Sequence, residues 1–152
     1  MLVTKGRVWL LLFFLLLPPF RNACGQENYE EADPVSLVGL TLGELIGRFG
    51  APKAVYPARG PEEWQDDVVF VYERGDFYVY RDRVWQVALK AAMGITIGDS
   101  RSVAFLVLGS KAETRGNSIF CSLNERAWPL VIRCDFDSAG KIGAIFIYRS
   151  DF

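Results

Sequence analysis

The sequence predicts an α+β fold built from two tandem α-β-β-β repeats, with short helices packed on antiparallel sheet. The hexapeptide at residues 39–44, GLTLGE, recurs in the same chemical order at residues 94–99 as GITIGD. Each copy continues through an apolar helical stretch to a glycine and then through three β-type runs, and self-similarity of this kind indicates a repeat architecture. The predicted organisation is a signal peptide (1–25), an acidic tether (26–36), a first repeat (37–92) and a second repeat (93–152).

The amino-terminal segment has the pattern of an export signal. Lys5 and Arg7 precede an unbroken apolar run at residues 8–17, which Pro18-Pro19 ends. A run of that length is about half of the roughly 20 residues that a membrane-spanning helix needs. The pattern therefore predicts a signal peptide and an exported protein.

Two processing sites fit the sequence that follows. Ala23 and Gly25 suit an ordinary cut before Gln26, whereas Cys24 would become the lipidated first residue of a lipoprotein. The acidic stretch 26–34 resembles a tether behind a lipid anchor. We expect a periplasmic or outer-membrane-associated location, or secretion, with membrane contact only through a lipid at Cys24.

Local signals define the first helix. Thr41 and Glu44 form a capping-box pattern, and Gly50 supplies a stop. Between them four apolar residues fall at i, i+3, i+4 and i+7: Leu42, Leu45, Ile46 and Phe49. A helix this short needs a sheet to pack on.

The second helix has two predicted starting points. Thr96 with Asp99 would add a turn, whereas Ser100 would place the cap nine residues before Gly109, as Thr41 precedes Gly50. The equal spacing favours Ser100.

Six β-type runs follow the helices, at residues 67–73, 77–81, 83–90, 117–123, 130–136 and 141–149. Because successive side chains of a strand point to opposite faces, Cys121 and Cys134 are expected on the same side of the sheet as large apolar residues. If Cys24 is removed or acylated, these two cysteines form a pair that an oxidising compartment would join. The predicted disulfide contributes on the order of 3 kcal/mol, and the alternative is two buried free thiols.

The sequence offers little equipment for catalysis. Histidine is absent from all 152 residues, paired cysteines leave no thiol, and the lysines after the apolar run are each isolated in a predicted loop or at a strand end. We therefore expect no enzyme activity, no cofactor and no bound metal. The 17 basic and 18 acidic residues give a net charge of −1 with no basic cluster, which argues against nucleic-acid binding.

Aromatic residues of the first repeat are the candidates for partner binding. They are Tyr56, Trp64, Tyr78, Tyr80 and Trp85. Amphipathic rings of this kind are frequent anchors at protein interfaces, although they also cap hydrophobic cores.

The repeats resemble a known family in their motifs. Both repeats resemble the SmpA/OmlA-like domain. In the first repeat the resemblance lies in residues 39–41, in Phe49-Gly50-x-Pro52 and in the aromatic-rich strand near Trp64. In the second repeat it lies in residues 94–96, residues 108–109 and the hairpin 134–142. That domain occurs in the small lipoprotein of the outer-membrane β-barrel assembly machinery. A tandem arrangement is also similar to the β-lactamase inhibitory proteins, whose paired repeats form a concave protein-binding face.

These features together predict a cell-envelope module that binds an envelope or extracellular protein. The resemblance implies a scaffold or accessory role linked to outer-membrane assembly. The alternatives are a secreted proteinaceous enzyme inhibitor and a hydrolase that uses only the carboxylates at residues 62–67.

Overall fold

A computed structural model of the protein describes residues 33–59, 66–123 and 128–151. The predicted signal peptide, most of the tether, Cys24 and Trp64 lie outside the described residues.

Both α-helices in these described ranges begin at the predicted caps. Helix α1 spans Leu42–Phe49, and Thr41 and Glu44 form the complete capping box. Helix α2 spans Arg101–Leu108, and Ser100 Oγ accepts a hydrogen bond from the Val103 amide. The shorter of the two predicted forms of α2 is therefore confirmed. The described residues also form 3₁₀ helices at Pro34–Leu37 and Gly109–Lys111.

The described part of the chain contains ten strands, and eight of them form one antiparallel sheet. They are β1 (Ala54–Ala58), β2 (Asp67–Val71), β3 (Gly75–Tyr80), β4 (Arg83–Leu89), β5 (Ala91–Ala92), β6 (Ile95–Thr96), β7 (Ala112–Arg115), β8 (Ser118–Leu123), β9 (Leu130–Phe136) and β10 (Ile142–Arg149). The order in the large sheet is β1-β2-β3-β4-β10-β9-β8-β7, while β5 and β6 form a separate hairpin. The α+β class with antiparallel sheet is confirmed.

Each helix precedes four strands of the large sheet rather than the predicted three. The additional strands, β1 and β7, lie at the two edges. Strand β1 contains Pro57 and is almost entirely exposed, and β7 reads AETR, so neither shows the alternation that a half-buried strand requires. The tight β5–β6 turn was missed as well, because Met93 and Gly94 lack the usual Asn-Gly signature.

Similar contacts recur around the two helices. The Gly39 amide donates to the Val84 carbonyl at 2.7 Å, and the Val84 amide donates to Leu40 at 2.8 Å. In the second half the Gly98 amide donates to Ile142 at 2.8 Å, and the Ile142 amide donates to Asp99 at 2.9 Å. Both pairs tie the lead-in to a helix against the last strand of the meander that follows it.

The hydrophobic core lies between the helices and one face of the large sheet. Leu45 of α1 and Ala104 and Leu108 of α2 are buried. They belong to the same cluster as the inward-facing sheet residues, which include Phe77, Val87, Ile119, Ile132, Ile145 and Ile147. The helices therefore cover one face of the sheet, and we name the opposite side the open face.

The two cysteines lie in this core as free thiols, so the predicted disulfide is not formed in the structure. The strand register is the reason: Cys121 stands opposite Ile132, and Cys134 stands opposite Ile119. The cysteines share a face, as predicted, but they are diagonal neighbours. Diagonal Cα atoms are roughly 7–8 Å apart, beyond the usual span of a disulfide.

No helix in the described part of the chain is long and apolar enough to cross a membrane.

Candidate protein-binding face

The open face carries aromatic side chains from both halves of the sheet. We call strands β1 to β4 the first half and strands β7 to β10 the second half. One cross-strand row contains Tyr56, Val69, Tyr78, Gln86 and Tyr148, each opposite the next in the strand register. The neighbouring row contains Ala88, Phe146, Arg133, Phe120 and Glu113. The first row runs from the edge strand β1 to β10 and the second from β4 to the edge strand β7, so that together they span the sheet.

A bulge places Trp85 on this face. The β3–β4 register shifts between Tyr78 and Val79, so that β4 contains an extra residue at this point. Val84 and Val87 are three residues apart, yet both are fully buried on the core side. The bulge therefore lets both valines face the core while Trp85 packs against Tyr78 on the open face.

The first-half rings form a connected cluster. The ring centroids of Tyr78 and Trp85 are 6.5 Å apart with an interplanar angle of 70°, an edge-on arrangement. Trp85 Nε1 donates a hydrogen bond of 3.0 Å to Asp67 Oδ1. Val69, which stands between Tyr56 and Tyr78, is completely buried, whereas Tyr56 at the edge is 42% exposed. The cluster thus has a packed base and an accessible rim.

The cluster shifts the titration of two of its members. Burial raises the pKa of the Asp67 carboxyl, the Trp85 hydrogen bond opposes that change, and Asp66 adds to it. Burial also raises the pKa of the Tyr78 hydroxyl, with smaller contributions from Tyr56 and nearby acids. Tyr78 therefore stays protonated and can donate a hydrogen bond across the ordinary pH range.

In the second half, arginines stack on the aromatic rings. The Arg133 guanidinium lies 4.4 Å from the Phe146 ring centroid, and Arg115 lies 5.3 Å from that of Phe120. Arg133 also contacts Asp135, with 3.1 Å between Nε and Oδ1. Such planar cations are held in place before any partner arrives, which reduces the entropy lost on binding.

Three of the predicted residues, Tyr56, Tyr78 and Trp85, come together in the structure. Tyr80 follows two residues along β3, with Arg81 stacked 5.1 Å from its ring centroid. The prediction overlooked the second half of the face, formed by Phe120, Arg133, Phe146 and Tyr148. The signal was present, because these residues alternate with core positions along β8, β9 and β10.

The described residues hold no group of three or more His, Cys, Asp or Glu side chains that could bind a metal ion. Of the carboxylates considered for hydrolysis, Asp67 is engaged by Trp85, and Glu62 and Glu63 lie outside the described residues.

Comparison with known proteins gives a likeness of fold alone. No family model and no curated protein matches the sequence. The fold is similar to the crystal structure of an extracellular protein containing a SCP domain from Bacillus anthracis str. Ames, with 13% sequence identity and a TM-score of 0.51. The match covers 78% of this chain and 46% of the other, so the chain spans less than half of that protein.

Proposed function

We propose that the protein is an exported module that binds a partner protein of the cell envelope or the extracellular space through its open face. The observation that carries this proposal is the cross-strand row in which Tyr56, Tyr78 and Tyr148 face the same side of one sheet. Aromatic residues on a rigid sheet lose little conformational entropy when a partner orders them.

The arginines add specificity to this face. Arg133 and Arg115 are each paired with an acid and stacked on a ring, so the face presents alternating apolar and charged groups. A partner with acidic and aromatic side chains would complement it. Tyrosine, tryptophan and arginine are also the residue types that dominate binding energy at protein interfaces.

We also propose that the two halves are tandem units. The strand order runs symmetrically outward from the β4–β10 pair, each helix begins at a hydroxyl cap, and each ends at a glycine with φ near 70°. The recurring contacts join Thr41 with Arg83 and Ser100 with Lys141 in isolated bridges. This arrangement supports a unit of one helix and four strands, with Ser100 rather than Thr96 corresponding to Thr41.

Export is part of the proposal. The charged start, the short apolar run and the small residues near position 25 support it, and the structurally similar protein from Bacillus anthracis is extracellular. Lipidation at Cys24 and removal of that cysteine are both compatible with a module that acts outside the cytoplasm.

Affinity capture with paired baits tests the proposal. We expect the wild-type chain to recover a specific protein from native envelope extract or culture medium. A bait with Tyr78→Ala and Tyr148→Ala should bind that protein at least about 100-fold more weakly, since interface aromatics each contribute about 2 kcal/mol or more. Gly47→Ser, on the outer side of α1, is the matched control and should bind normally, because an added Cβ there meets no atom within 4 Å.

The identity of the captured protein separates the two binding roles. An enzyme that loses activity at stoichiometric amounts of the module would favour a secreted inhibitor, whereas an assembly component would favour an accessory factor. Equal recovery by the wild-type and doubly substituted baits would exclude the open face as the binding surface.

A further inference from the structure

The two helices differ on their outer surfaces although they occupy corresponding places. Counting from the caps Thr41 and Ser100, Leu106 and Val107 of α2 correspond to Gly47 and Arg48 of α1. Leu106 is 83% exposed, and its neighbours Phe105 and Val107 are exposed as well. The outer side of α1 thus combines one exposed apolar residue, Ile46, with Gly47 and Arg48, whereas α2 presents three consecutive exposed apolar side chains. An apolar outer side is unusual for a helix that faces water.

The hairpin that adjoins α2 extends the apolar surface. Strand β6 contacts α2, and Met93 in the β5–β6 turn and Ile97 after β6 are both exposed. Met93 has a φ of 53°, a left-handed conformation that favours Asn or Gly. A large apolar side chain at this turn departs from local preference, and such departures occur at functional surfaces.

The two charged residues between Lys90 and Lys111, Asp99 and Arg101, both have partners. Asp99 Oδ2 accepts a hydrogen bond of 2.8 Å from the Thr96 amide. The Arg101 guanidinium lies over the Phe136 ring at 4.3 Å and donates to Asn117 Oδ1. Two exposed cations, Lys90 and Lys111, bound the stretch, one before the hairpin and one after α2. The surface is therefore apolar in the middle and cationic at its borders.

The size of this surface disfavours a second copy of the chain as its occupant. Five side chains that are 38% to 83% exposed offer on the order of 400 Å² of apolar surface, about half of the ~800 Å² that each partner contributes to a stable interface. A lipid surface imposes no such minimum. Apolar side chains enter the acyl region while bordering lysines reach the phosphates of the head groups.

We propose that the outer side of α2 and the β5–β6 turn form a membrane-contact surface that inserts Leu106, Phe105 and Met93 into the outer layer of a lipid bilayer. This contact is additional to any lipid at Cys24 and independent of the open face, which it leaves free for a protein partner.

Tryptophan quenching by lipid tests the contact in the processed, exported chain. Leu106→Trp adds an indole on α2, and Gly47→Trp adds one at the corresponding position of α1, where an added Cβ would meet no atom within 4 Å. The probe is vesicles of phosphatidylglycerol and phosphatidylcholine with brominated acyl chains. We expect the added emission of Leu106→Trp to be quenched and blue-shifted, and that of Gly47→Trp to be unaffected, whether or not Cys24 carries a lipid.

Affinity for vesicles gives a second, independent result. Leu106→Asp should weaken partitioning by at least about tenfold relative to Gly47→Asp, because it replaces the most exposed apolar side chain of this surface by a charge. Tyr78→Ala should leave quenching unchanged, which separates this inference from the proposed function. Unquenched emission from position 106 would overturn the proposal, as would a concentration-dependent dimer that Leu106→Asp dissociates in the absence of lipid.

Discussion

The indole Nε1 of Trp85 reaches over β3 to donate a hydrogen bond of 3.0 Å to Asp67 Oδ1, joining two strands that are not neighbours in the sheet. The bulge in β4 makes this contact feasible, because it turns Trp85 to the open face while Val84 and Val87 remain in the core. The bond fixes the ring beside Tyr78. The position of the largest side chain in the cluster is therefore set before a partner binds.

Replacing Trp85 by phenylalanine tests this coupling. The indole hydrogen bond opposes the effect of burial on Asp67, so Trp85→Phe should raise the pKa of the Asp67 carboxyl further. Carboxyl ¹³C NMR titration measures the change, and Tyr80→Phe serves as the control. An unchanged Asp67 titration in Trp85→Phe would show that the hydrogen bond does not form in solution.

Asp67 also predicts a dependence of stability on pH. The pKa of Asp67 is higher in the folded than in the unfolded state. Its contribution to stability is therefore fully present at a pH below the pKa of the unfolded state, and it is lost as the pH rises through the pKa of the folded state. Asp67→Asn keeps an oxygen for Trp85 but does not ionise. The stability of Asp67→Asn relative to wild type should therefore increase from acidic to neutral pH in urea unfolding, and a difference independent of pH would contradict this assignment.

Substitution by alanine should have opposite effects on stability at Gly75 and Gly47. A Cβ at Gly75 would collide with the Ala88 carbonyl of the neighbouring strand, whereas one at Gly47 meets nothing within 4 Å. Gly75→Ala should destabilise the fold by about 2 kcal/mol or more, while Gly47→Ala should stabilise α1 by about 0.5–1 kcal/mol. Chemical denaturation measures both, and equal stabilities for the two variants would argue against the β3–β4 register.

The oxidation state of Cys121 and Cys134 tests the β8–β9 register. That register leaves two free thiols, whereas the sequence suggested a disulfide. Both thiols are buried, and burial raises the pKa of the Cys134 thiol to about 11. Because a reagent has no access to either sulfur, neither cysteine should be alkylated in the native protein. Both should react in denaturant without a reductant. Mass spectrometry counts the adducts, and a protein that gains them only after reduction would contain the disulfide instead.

Local sequence signals predicted the elements that have a local cap or a strand with one buried face. The capping box at Thr41 placed α1, and β9 was placed from Leu130 to Phe136, where burial alternates at every residue. The edge strands escaped prediction because β1 and β7 bury little apolar surface.

The pairing of β4 with β10 could not be foreseen from local patterns, since it joins residues that are distant in sequence. That pairing is what brings Tyr148 and Phe146 beside the first-half cluster. The sequence therefore indicated the aromatic residues of one half, and the topology showed that the candidate face extends through both.

Site-specific photo-crosslinking in the producing cells tests the central claim most directly. A benzoylphenylalanine at Tyr148 lies on the open face, and one at Gly47 lies on the outer side of α1. We predict that the probe at position 148 forms a discrete covalent adduct with one protein, that Tyr78→Ala abolishes this adduct, and that the probe at position 47 forms none. An adduct at position 47 with none at position 148 would contradict the assignment of the open face as the binding surface.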